Sequence, residues 1–441
     1  MRTIAILGGG ITGLALAWFI KQYKQQVSIK LFEASPRVGG WIQSDMIGNC
    51  LCERGPNTLR PRGEGIEALQ LIEALGLEKE VITSSPQIKK KFIWRDGKLY
   101  NLPYKPWHLL YPGSSINVFR LLREYFKRRI IPPEESIANF IQARLGTRIM
   151  NDIFDPMVIG IYAGDIHQLS APACFPTLTQ WEKTHGSLIK GALARQDKPE
   201  LSPFVQAHKK ASLISFKDGM ETLPIALAKT LKENIYLEEP VLQLHKDKGK
   251  MRLNTTKREL YVDQVISCLP AHALAPISHT LCPKLSSLLK EIPFKSISLA
   301  QVVIEKLKLP YTGFGYLIPS YEKQAILGAI FNPCIFPQRY PSNTGVFTFM
   351  LKGRQTESYA YERVVYALNK HLEILRVPTH FSLKVQSQAI PQYELGHLSR
   401  LHAMNESLRG LKQRFLMIGN SFQGVSVNLC IAKAKEIAKT L

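Results

Sequence analysis

Short apolar runs lead into helix-like segments at both ends of this 441-residue chain. Near the N-terminus, TIAIL (3–7) passes through a glycine turn into LALAWFIKQY (14–23), and VSIKLFEA (27–34) follows. Near the C-terminus, RFLMIGN (414–420) passes through a loop into LCIAKAKEIAKTL (429–441), whose apolar residues recur at helical spacing. Continuous apolar strands beside such helices are typical of parallel sheets. The pattern predicts an α/β protein with a strand, a turn and a helix at each end.

The N-terminal turn carries Gly8, Gly10 and Gly13 in the spacing G-x-G-x-x-G. The first glycine permits the tight turn, the second lets the backbone approach a pyrophosphate, and the third lets the helix pack closely on the strand. The free N–H groups and positive dipole end of the helix favour that anion. Glu33 ends the second strand, twenty residues after Gly13, where it can accept hydrogen bonds from both ribose hydroxyls. Together these features predict a dinucleotide-binding domain.

A second glycine pair follows the acidic strand end, in ASPRVGGW (34–41). An R-x-G-G at this place resembles the flavoprotein amine oxidase superfamily, where it lies along the FAD pyrophosphate. In that superfamily the last strand returns to the FAD domain and the last helix points its N-terminus at the flavin ring. The resemblance therefore implies that both chain ends hold one FAD, bound non-covalently. It assigns the cofactor to Gly8, Gly9, Gly10, Ile11, Thr12, Gly13, Glu33, Ala34, Arg37, Gly39, Gly40, Trp41, Gly55, Pro56, Asn57, Thr58, Val241, Gly419, Asn420, Val425, Ser426 and Val427.

Further blocks resemble the protoporphyrinogen oxidase family of heme biosynthesis. They are RGPNTLRPRG (54–63), a long block at 160–191, GFGYLIPS (313–320), GVFTFMLKG (345–353) and GNSFQGVSVNLCI (419–431), in family order. The resemblance implies oxidation of protoporphyrinogen IX to protoporphyrin IX, with oxygen as the electron acceptor. A large apolar macrocycle with propionates needs a mostly hydrophobic pocket with a cation at one end. The resemblance assigns the substrate to Lys91, which would hold a propionate, and to Phe314, Gly315, Leu317, Ile330 and Met350.

The chemistry is expected to come from the cofactor, because the sequence shows no Ser/His/Asp or paired-carboxylate motif. By the resemblance, the flavin accepts the hydride and no side chain is catalytic. The seven cysteines lack metal-ligand spacing, so we expect mostly buried free thiols in a reducing compartment and no metal. The alternatives are oxidation of coproporphyrinogen III, an amine or carotenoid oxidase on the same fold, and a non-catalytic FAD protein that carries tetrapyrroles.

Charge is the unusual feature of the composition, since 57 Lys and Arg oppose 35 Asp and Glu. Residues 86–133 hold 11 of the basic and only 2 of the acidic side chains. Within them, 116–131 predicts an amphipathic basic helix, which suits an anionic membrane surface. A helix packed on the protein with a solvated basic face is the alternative interpretation. Nucleic acid is disfavoured as a partner, because no nucleic-acid-binding motif accompanies the charge.

These patterns predict an α/β fold in three regions. A discontinuous, Rossmann-like FAD-binding domain takes residues 1–85, 205–275 and 395–441. A helical, basic, membrane-associating segment takes 86–204, and a mixed-sheet substrate domain takes 276–394.

The location and partners follow from the same features. No apolar run is long enough for a membrane span, and a strand that starts at Thr3 leaves no room for a signal peptide. We therefore expect a cytoplasmic protein, peripheral on the inner face of the cell membrane. The expected partners are a tetrapyrrole, oxygen and anionic lipid, with hand-over of product to ferrochelatase and homodimer formation as further expectations.

Overall fold

The computed structural model describes residues 1–102, 124–126, 134–194, 201–411 and 413–441. Within them the strands are β1 Arg2–Leu7, β2 Val27–Phe32, β3 Ser44–Ile47, β4 Cys50–Glu53, β5 Val81–Thr83, β6 Phe92–Arg95, β7 Lys98–Asn101, β8 Ile214–Phe216, β9 Ile235–Tyr236, β10 Val241–Asp247, β11 Lys250–Thr255, β12 Glu259–Val262, β13 Gln264–Ser267, β14 Phe294–Ile304, β15 Gly315–Leu317, β16 Ile326–Phe331, β17 Gly345–Lys352, β18 His380–Pro391 and β19 Phe415–Met417. The α-helices are Ile11–Tyr23, Gly65–Ala74, Ile137–Leu145, Thr147–Ile149, Asp155–Tyr162, Ala171–Cys174, Pro176–His185, Leu188–Leu193, Pro203–His208, Thr222–Thr230, Ala271–Ser278, Pro283–Lys290, Asn332–Ile335, Glu357–Leu372, His397–Ser407 and Val427–Thr440.

A five-stranded parallel sheet joins the two ends of the chain, in the order β19-β13-β1-β2-β9. β1 lies at its centre because its last four residues are apolar and fully buried. The first helix, Ile11–Tyr23, packs against the last helix, Val427–Thr440, in one apolar cluster. The strand, turn and helix predicted at each end are therefore present and lie side by side.

A three-stranded sheet, β10-β11-β12, covers the other face of the parallel sheet. The helices Ala271–Ser278 and Pro283–Lys290 belong to the same apolar cluster, through Leu274 and Leu289 among others. The cofactor-side part of the fold therefore continues past residue 275, where the sequence pattern places its end. Residue 275 lies inside the helix Ala271–Ser278, and the apolar residues of that helix pack in the same cluster on both sides of it. The sequence therefore has no feature at 275 that marks the end of a domain.

A seven-stranded mixed sheet forms the other half of the fold, in the order β18-β14-β17-β16-β15-β6-β7. Its outer face packs against the helix Glu357–Leu372 around Tyr316, Phe347 and Phe349. Two of its strands, β6 and β7, come from the region that the sequence pattern assigns to the helical segment. They pair there because β6 runs parallel to β15 and buries Ile93 and Trp94.

Residues 134–194 form a helical unit with its own apolar core around Phe140, Tyr162 and Tyr393. The basic helix predicted at 116–131 lies outside the described residues, apart from Glu124, Tyr125 and Phe126. Glu124 is buried and accepts hydrogen bonds from Ser187 Oγ (2.8 Å) and from the first backbone N–H of the helix Leu188–Leu193 (2.5 Å). In the part of the chain that the structure describes, no helix has the length and apolar character of a membrane span.

Candidate active site

The glycine turn after β1 has the geometry of an anion cradle. Gly8 has φ +100°, and a Cβ added at Gly13 would lie 2.0 Å from the backbone oxygen of Gly8, so the helix can pack this closely only with glycine there. A Cβ added at Gly10 would meet no atom within 4 Å. The following helix has no side-chain cap and no acidic residue in its first turn, so its N–H groups are available to a phosphate. The residues present fit a pyrophosphate.

Glu33 is held beside that turn. Its Oε2 accepts from Gly9 N at 2.7 Å, and its Oε1 accepts from the backbone N and Oγ of Ser35 at 2.9 and 2.8 Å. Val241 is buried in the apolar cluster that lies against β1 and β2, and Ala34 directly follows the carboxylate. Glu33 and Ala34 therefore lie at the end of β2, and Val241 begins β10, which packs on one face of the same sheet.

The second glycine pair extends the cradle. Gly39 forms a bridge with Gly10, and a Cβ added at Gly40 would lie 3.3 Å from the Cα of Gly10. The guanidinium of Arg37 donates to the backbone oxygen of Gly40 (2.9 Å) and pairs with Glu221 (2.8 Å). Arg37 thus holds this loop in place through Gly40 and Glu221.

The C-terminal loop meets the same region from the other side. Gly419 has φ +118°, and a Cβ placed on it would be 3.8 Å from Thr12 Oγ1, in the first turn of the first helix. Asn420 and Val425 line a cavity, and Ser426 caps the last helix through its side chain. The two chain ends therefore converge on one site, as their resemblance to the superfamily implies.

A cavity of about 330 Å³ lies between these cofactor loops and the inner face of the seven-stranded sheet. The predicted substrate residues Phe314, Ile330 and Met350 line it together with the predicted cofactor residues Trp41 and Asn57. Among the described residues, its lining is Trp41, Gly55, Pro56, Asn57, Thr58, Gly160, Ile161, Ile297, Leu299, Phe314, Ile330, Thr348, Met350, Gln386, Ala389, Ile390, Pro391, Asn420 and Val425.

Three predicted substrate residues do not line this cavity. Gly315 permits close strand approach, since a Cβ there would lie 2.1 Å from the backbone oxygen of Ala329. Leu317 packs against Gly160, which itself borders the cavity. Lys91 is exposed and lies outside the lining.

Sequence reasoning missed the contribution of β18. Its pairing with β14 is irregular, because Lys295 pairs with Ile390 whereas Ile297 pairs with Gln386. The extra residues form a bulge around Gln388, whose φ is +48°. Simple alternation cannot bring Gln386, Ala389 and Ile390 to one surface, so no pattern in the sequence marks this wall of the cavity.

Buried Glu53 connects the two halves of the fold just before the loop Gly55–Thr58. Its carboxylate accepts from Ser44 Oγ (2.7 Å) and Met220 N (2.9 Å), and Arg339 lies 3.5 Å away. Burial raises the pKa of Glu53 to about 7 against these opposing donors. Glu53 therefore changes its protonation state near neutral pH.

We expect Glu53 to lower stability as the pH rises from about 4.5 to about 7, because the folded state then binds its proton more tightly than the unfolded chain does. Below this window both states are protonated, and above it the contribution is constant. Urea unfolding at several pH values gives the free energy of unfolding as a function of pH. Between about pH 4.5 and 7 this free energy should fall less steeply with pH for Glu53→Gln than for the wild type. Equal slopes in the two proteins would contradict the assignment.

Tyr393 fastens the C-terminal loop. Its hydroxyl donates to the backbone oxygen of Asn420 and accepts from Gly424 N at 2.8 Å. Its ring stacks on His397 with centroids 4.1 Å apart. Burial raises the pKa of Tyr393, so the hydroxyl stays a donor at all physiological pH values.

Exchange of Tyr393 for Phe should loosen this loop without disturbing the core, because only the hydroxyl is removed. We expect FAD affinity to fall about tenfold, the range of one or two lost hydrogen bonds, with a shifted flavin absorption spectrum. Titration of the apoprotein with FAD measures both quantities. Unchanged affinity and spectrum would show that the loop does not depend on this contact.

The seven cysteines are all free thiols, and four of them are buried. In the described ranges, no group of three or more His, Cys, Asp or Glu side chains could hold a metal ion. The site therefore offers glycine cradles and an apolar cavity as its binding features.

Comparisons with known proteins agree with this geometry. The family model of flavin containing amine oxidoreductases matches residues 11–439. The chain is 31% identical to the protoporphyrinogen oxidase of Homo sapiens, covering 99% of this chain and 98% of the relative. It is 29% identical to that of Schizosaccharomyces pombe, covering 100% and 98%, and 30% identical to protoporphyrinogen oxidase 2 of Arabidopsis thaliana, covering 99% and 93%.

Solved structures share the fold. A crystal structure from Exiguobacterium sp. 255-15 matches with a TM-score of 0.81 at 24% identity, covering 100% of this chain and 98% of the other. A putrescine oxidase variant matches with a TM-score of 0.71 at 14% identity, covering 100% and 98%. The chain belongs to the family of flavin-containing amine oxidoreductases, and FAD is its cofactor.

Proposed function

We propose that this family member oxidises protoporphyrinogen IX to protoporphyrin IX in heme biosynthesis, with oxygen as the electron acceptor. The observation that carries the proposal is the cavity between the cofactor loops and the seven-stranded sheet. Curated relatives that match nearly the whole chain are protoporphyrinogen oxidases. When bound, FAD supplies the hydride acceptor; the residues of the chain exclude water and hold the macrocycle against it.

The lining favours the apolar ring of a macrocycle over an amine. Ile297, Leu299, Ile330 and Met350 give broad apolar walls. The described lining contains no Asp or Glu that could pair with an ammonium group, and its aromatic side chains are Trp41 and Phe314 only. The described lining also contains no Lys or Arg, so a propionate inside the cavity would have no cation to pair with. This disfavours coproporphyrinogen, which has four propionates, relative to protoporphyrinogen, whose two propionates can both lie at the cavity edge.

The test is anaerobic mixing of the FAD-loaded protein with protoporphyrinogen IX and, separately, with coproporphyrinogen III. We expect faster loss of the oxidised flavin absorbance with protoporphyrinogen, and porphyrin fluorescence after air is admitted. Faster reduction by coproporphyrinogen would move the protein to that substrate. No reduction by either would leave the chain as a non-catalytic tetrapyrrole carrier or an oxidase of another substrate.

Lys91 is proposed to hold a propionate at the cavity edge. Leu317 pairs with Ile93 in parallel strands, and Phe92 packs in the core on the outer face. Lys91 directly precedes β6, and the proposal takes the alternation of that strand to continue through it, so that Lys91 shares the face of Ile93 and Lys90 has the opposite face. The exposed ammonium group is thus on the correct side of the sheet for a carboxylate that projects from the cavity.

Exchange of Lys91 for Ala should raise the KM about threefold to tenfold and leave kcat nearly unchanged, because this contact is remote from the reacting carbon. Lys90→Ala is the matched control on the opposite face, and we expect it to behave like the wild type. Steady-state kinetics with protoporphyrinogen measure both values. A large loss of kcat at unchanged KM would overturn this role.

Attachment to the cytoplasmic face of the cell membrane remains a proposal. Phe126 and Leu193 are 75% and 73% exposed. The ring centroid of Tyr125, the residue before Phe126, lies 4.9 Å from the ammonium nitrogen of Lys190. Exposed apolar side chains among basic residues suit an anionic lipid surface. Sedimentation with vesicles of phosphatidylcholine and phosphatidylglycerol should retain the protein, and vesicles of phosphatidylcholine alone should not. Equal behaviour with both vesicles would argue against it.

A further inference from the structure

Gln386 is a buried polar side chain in the wall of the cavity to which neither the sequence nor the fold assigns a role. It lies on β18 opposite Ile297 of β14, and both side chains line the cavity. The residue is only 6% exposed. A carboxamide in an apolar wall is unfavourable unless its polar atoms are hydrogen-bonded, so the partners of its two ends decide what it can do.

One end of the carboxamide is already bonded. Its Nε2 donates to the backbone oxygen of Arg54, directly before the cavity loop Gly55–Thr58. Because a carbonyl oxygen can only accept, this bond determines which end of the amide is nitrogen. The other end, Oε1, has no hydrogen-bond partner among the described residues.

The backbone around Gln386 supports a directed role. The bulge in β18 places Gln388 at φ +48°, a conformation that residues with a Cβ rarely adopt, and Gln388 N is held by Ser296 Oγ at 3.2 Å. Irregularities of this kind beside a cavity turn side chains toward it. Here the result is a cavity-lining residue whose amide nitrogen bonds Arg54 and whose amide oxygen has no partner among the described residues.

We propose that Oε1 of Gln386 accepts a hydrogen bond from a pyrrole N–H of the substrate and thereby sets the rotation of the macrocycle in the cavity. The proposal rests on the proposed function, since it requires a substrate with pyrrole N–H groups. Those groups are the donors of an otherwise apolar ring, and an unpaired donor in this cavity would be costly. A carboxamide is not a base at neutral pH, so Gln386 binds and orients the substrate and takes no proton.

Two variants separate this role from that of bracing Arg54. Gln386→Leu removes both hydrogen bonds at similar size, whereas Gln386→Glu keeps acceptor oxygens and loses the donor to Arg54. We expect the leucine variant to raise the KM for the porphyrinogen about tenfold, with little change in the limiting rate of anaerobic flavin reduction. The glutamate variant keeps acceptor oxygens but buries a charge, so it should raise the KM less than the leucine variant does. Gln388→Leu, the same exchange at an exposed position of the strand, is the control. Equal losses in both Gln386 variants, with lowered FAD affinity, would show a bracing role and overturn the proposal.

A binding test independent of turnover keeps this proposal distinct from the proposed function. A dipyrromethane carries pyrrole N–H groups, and its N,N′-dimethyl form does not. Anaerobic titration of the FAD-loaded protein, followed by the change in flavin absorbance, should show about tenfold tighter binding of the N–H compound by the wild type. Gln386→Leu should bind the two compounds equally. The proposal is wrong if the wild type shows no preference, or if the leucine variant retains it, since a purely steric effect of the methyl groups would persist there.

Discussion

Exchange of Gly10 for Ala is expected to abolish tight FAD binding while leaving the apoprotein folded. A Cβ at this position meets no protein atom within 4 Å, and its backbone, at φ −71°, is allowed for alanine. The free energy of unfolding of the apoprotein should therefore change by less than about 1 kcal/mol. The added methyl group occupies the space where the glycine turn lets a pyrophosphate approach, and we expect FAD affinity to fall about a hundredfold or more.

Two comparisons make this prediction specific. Gly410→Ala also adds a Cβ with no atom within 4 Å, so it should keep both stability and FAD affinity. Gly13→Ala would place its Cβ 2.0 Å from the backbone oxygen of Gly8, so it should destabilise the apoprotein itself. Calorimetric titration with FAD and urea unfolding of the apoprotein measure the two effects. A Gly10→Ala protein with wild-type FAD affinity would place the pyrophosphate elsewhere.

The second large effect is expected at Arg144, in the helical unit. Arg144 is 4% exposed. Its guanidinium bonds both carboxylate oxygens of Glu182 at 2.6 Å, and Glu135 at 2.9 Å. Exchange for Met would leave the carboxylate of Glu182 buried without its partner. We expect a loss of about 3–5 kcal/mol in the free energy of unfolding, measured by urea denaturation.

The double variant Arg144→Met/Glu182→Leu should recover most of that loss, because it removes the isolated charge as well. Arg409→Met is the surface control: its pair with Glu406 has the arginine 73% exposed, so the change should be below about 1 kcal/mol. A double variant no more stable than Arg144→Met would show that packing, and not the unpaired charge, causes the loss. Loss of stability in this helical unit should also affect the cavity, because the unit supplies Gly160 and Ile161 to its lining.

Local sequence determined the cofactor side of this protein. The glycine spacing, the apolar run of β1 and the acid at Glu33 are contiguous features, and each has one physical role that its own neighbours dictate. The predicted strand, turn and helix are present at both chain ends, and both ends reach one cavity. Phe314, Ile330 and Met350 line that same cavity, and their contact with substrate stays a prediction.

Only the tertiary structure decided the rest of the cavity. Lys91, which the family resemblance assigns to the substrate, lies outside the lining, because its distance from the cavity depends on how the sheet folds. Strands β6 and β7 belong to the seven-stranded sheet because β6 pairs with β15, more than two hundred residues away in the chain, and β7 pairs with β6. Gln386 lines the cavity because β18 has a bulge in its pairing with β14. Motifs that act through their own backbone can be read from sequence, whereas a surface built from register, bulges and distant pairing depends on contacts that no local pattern encodes.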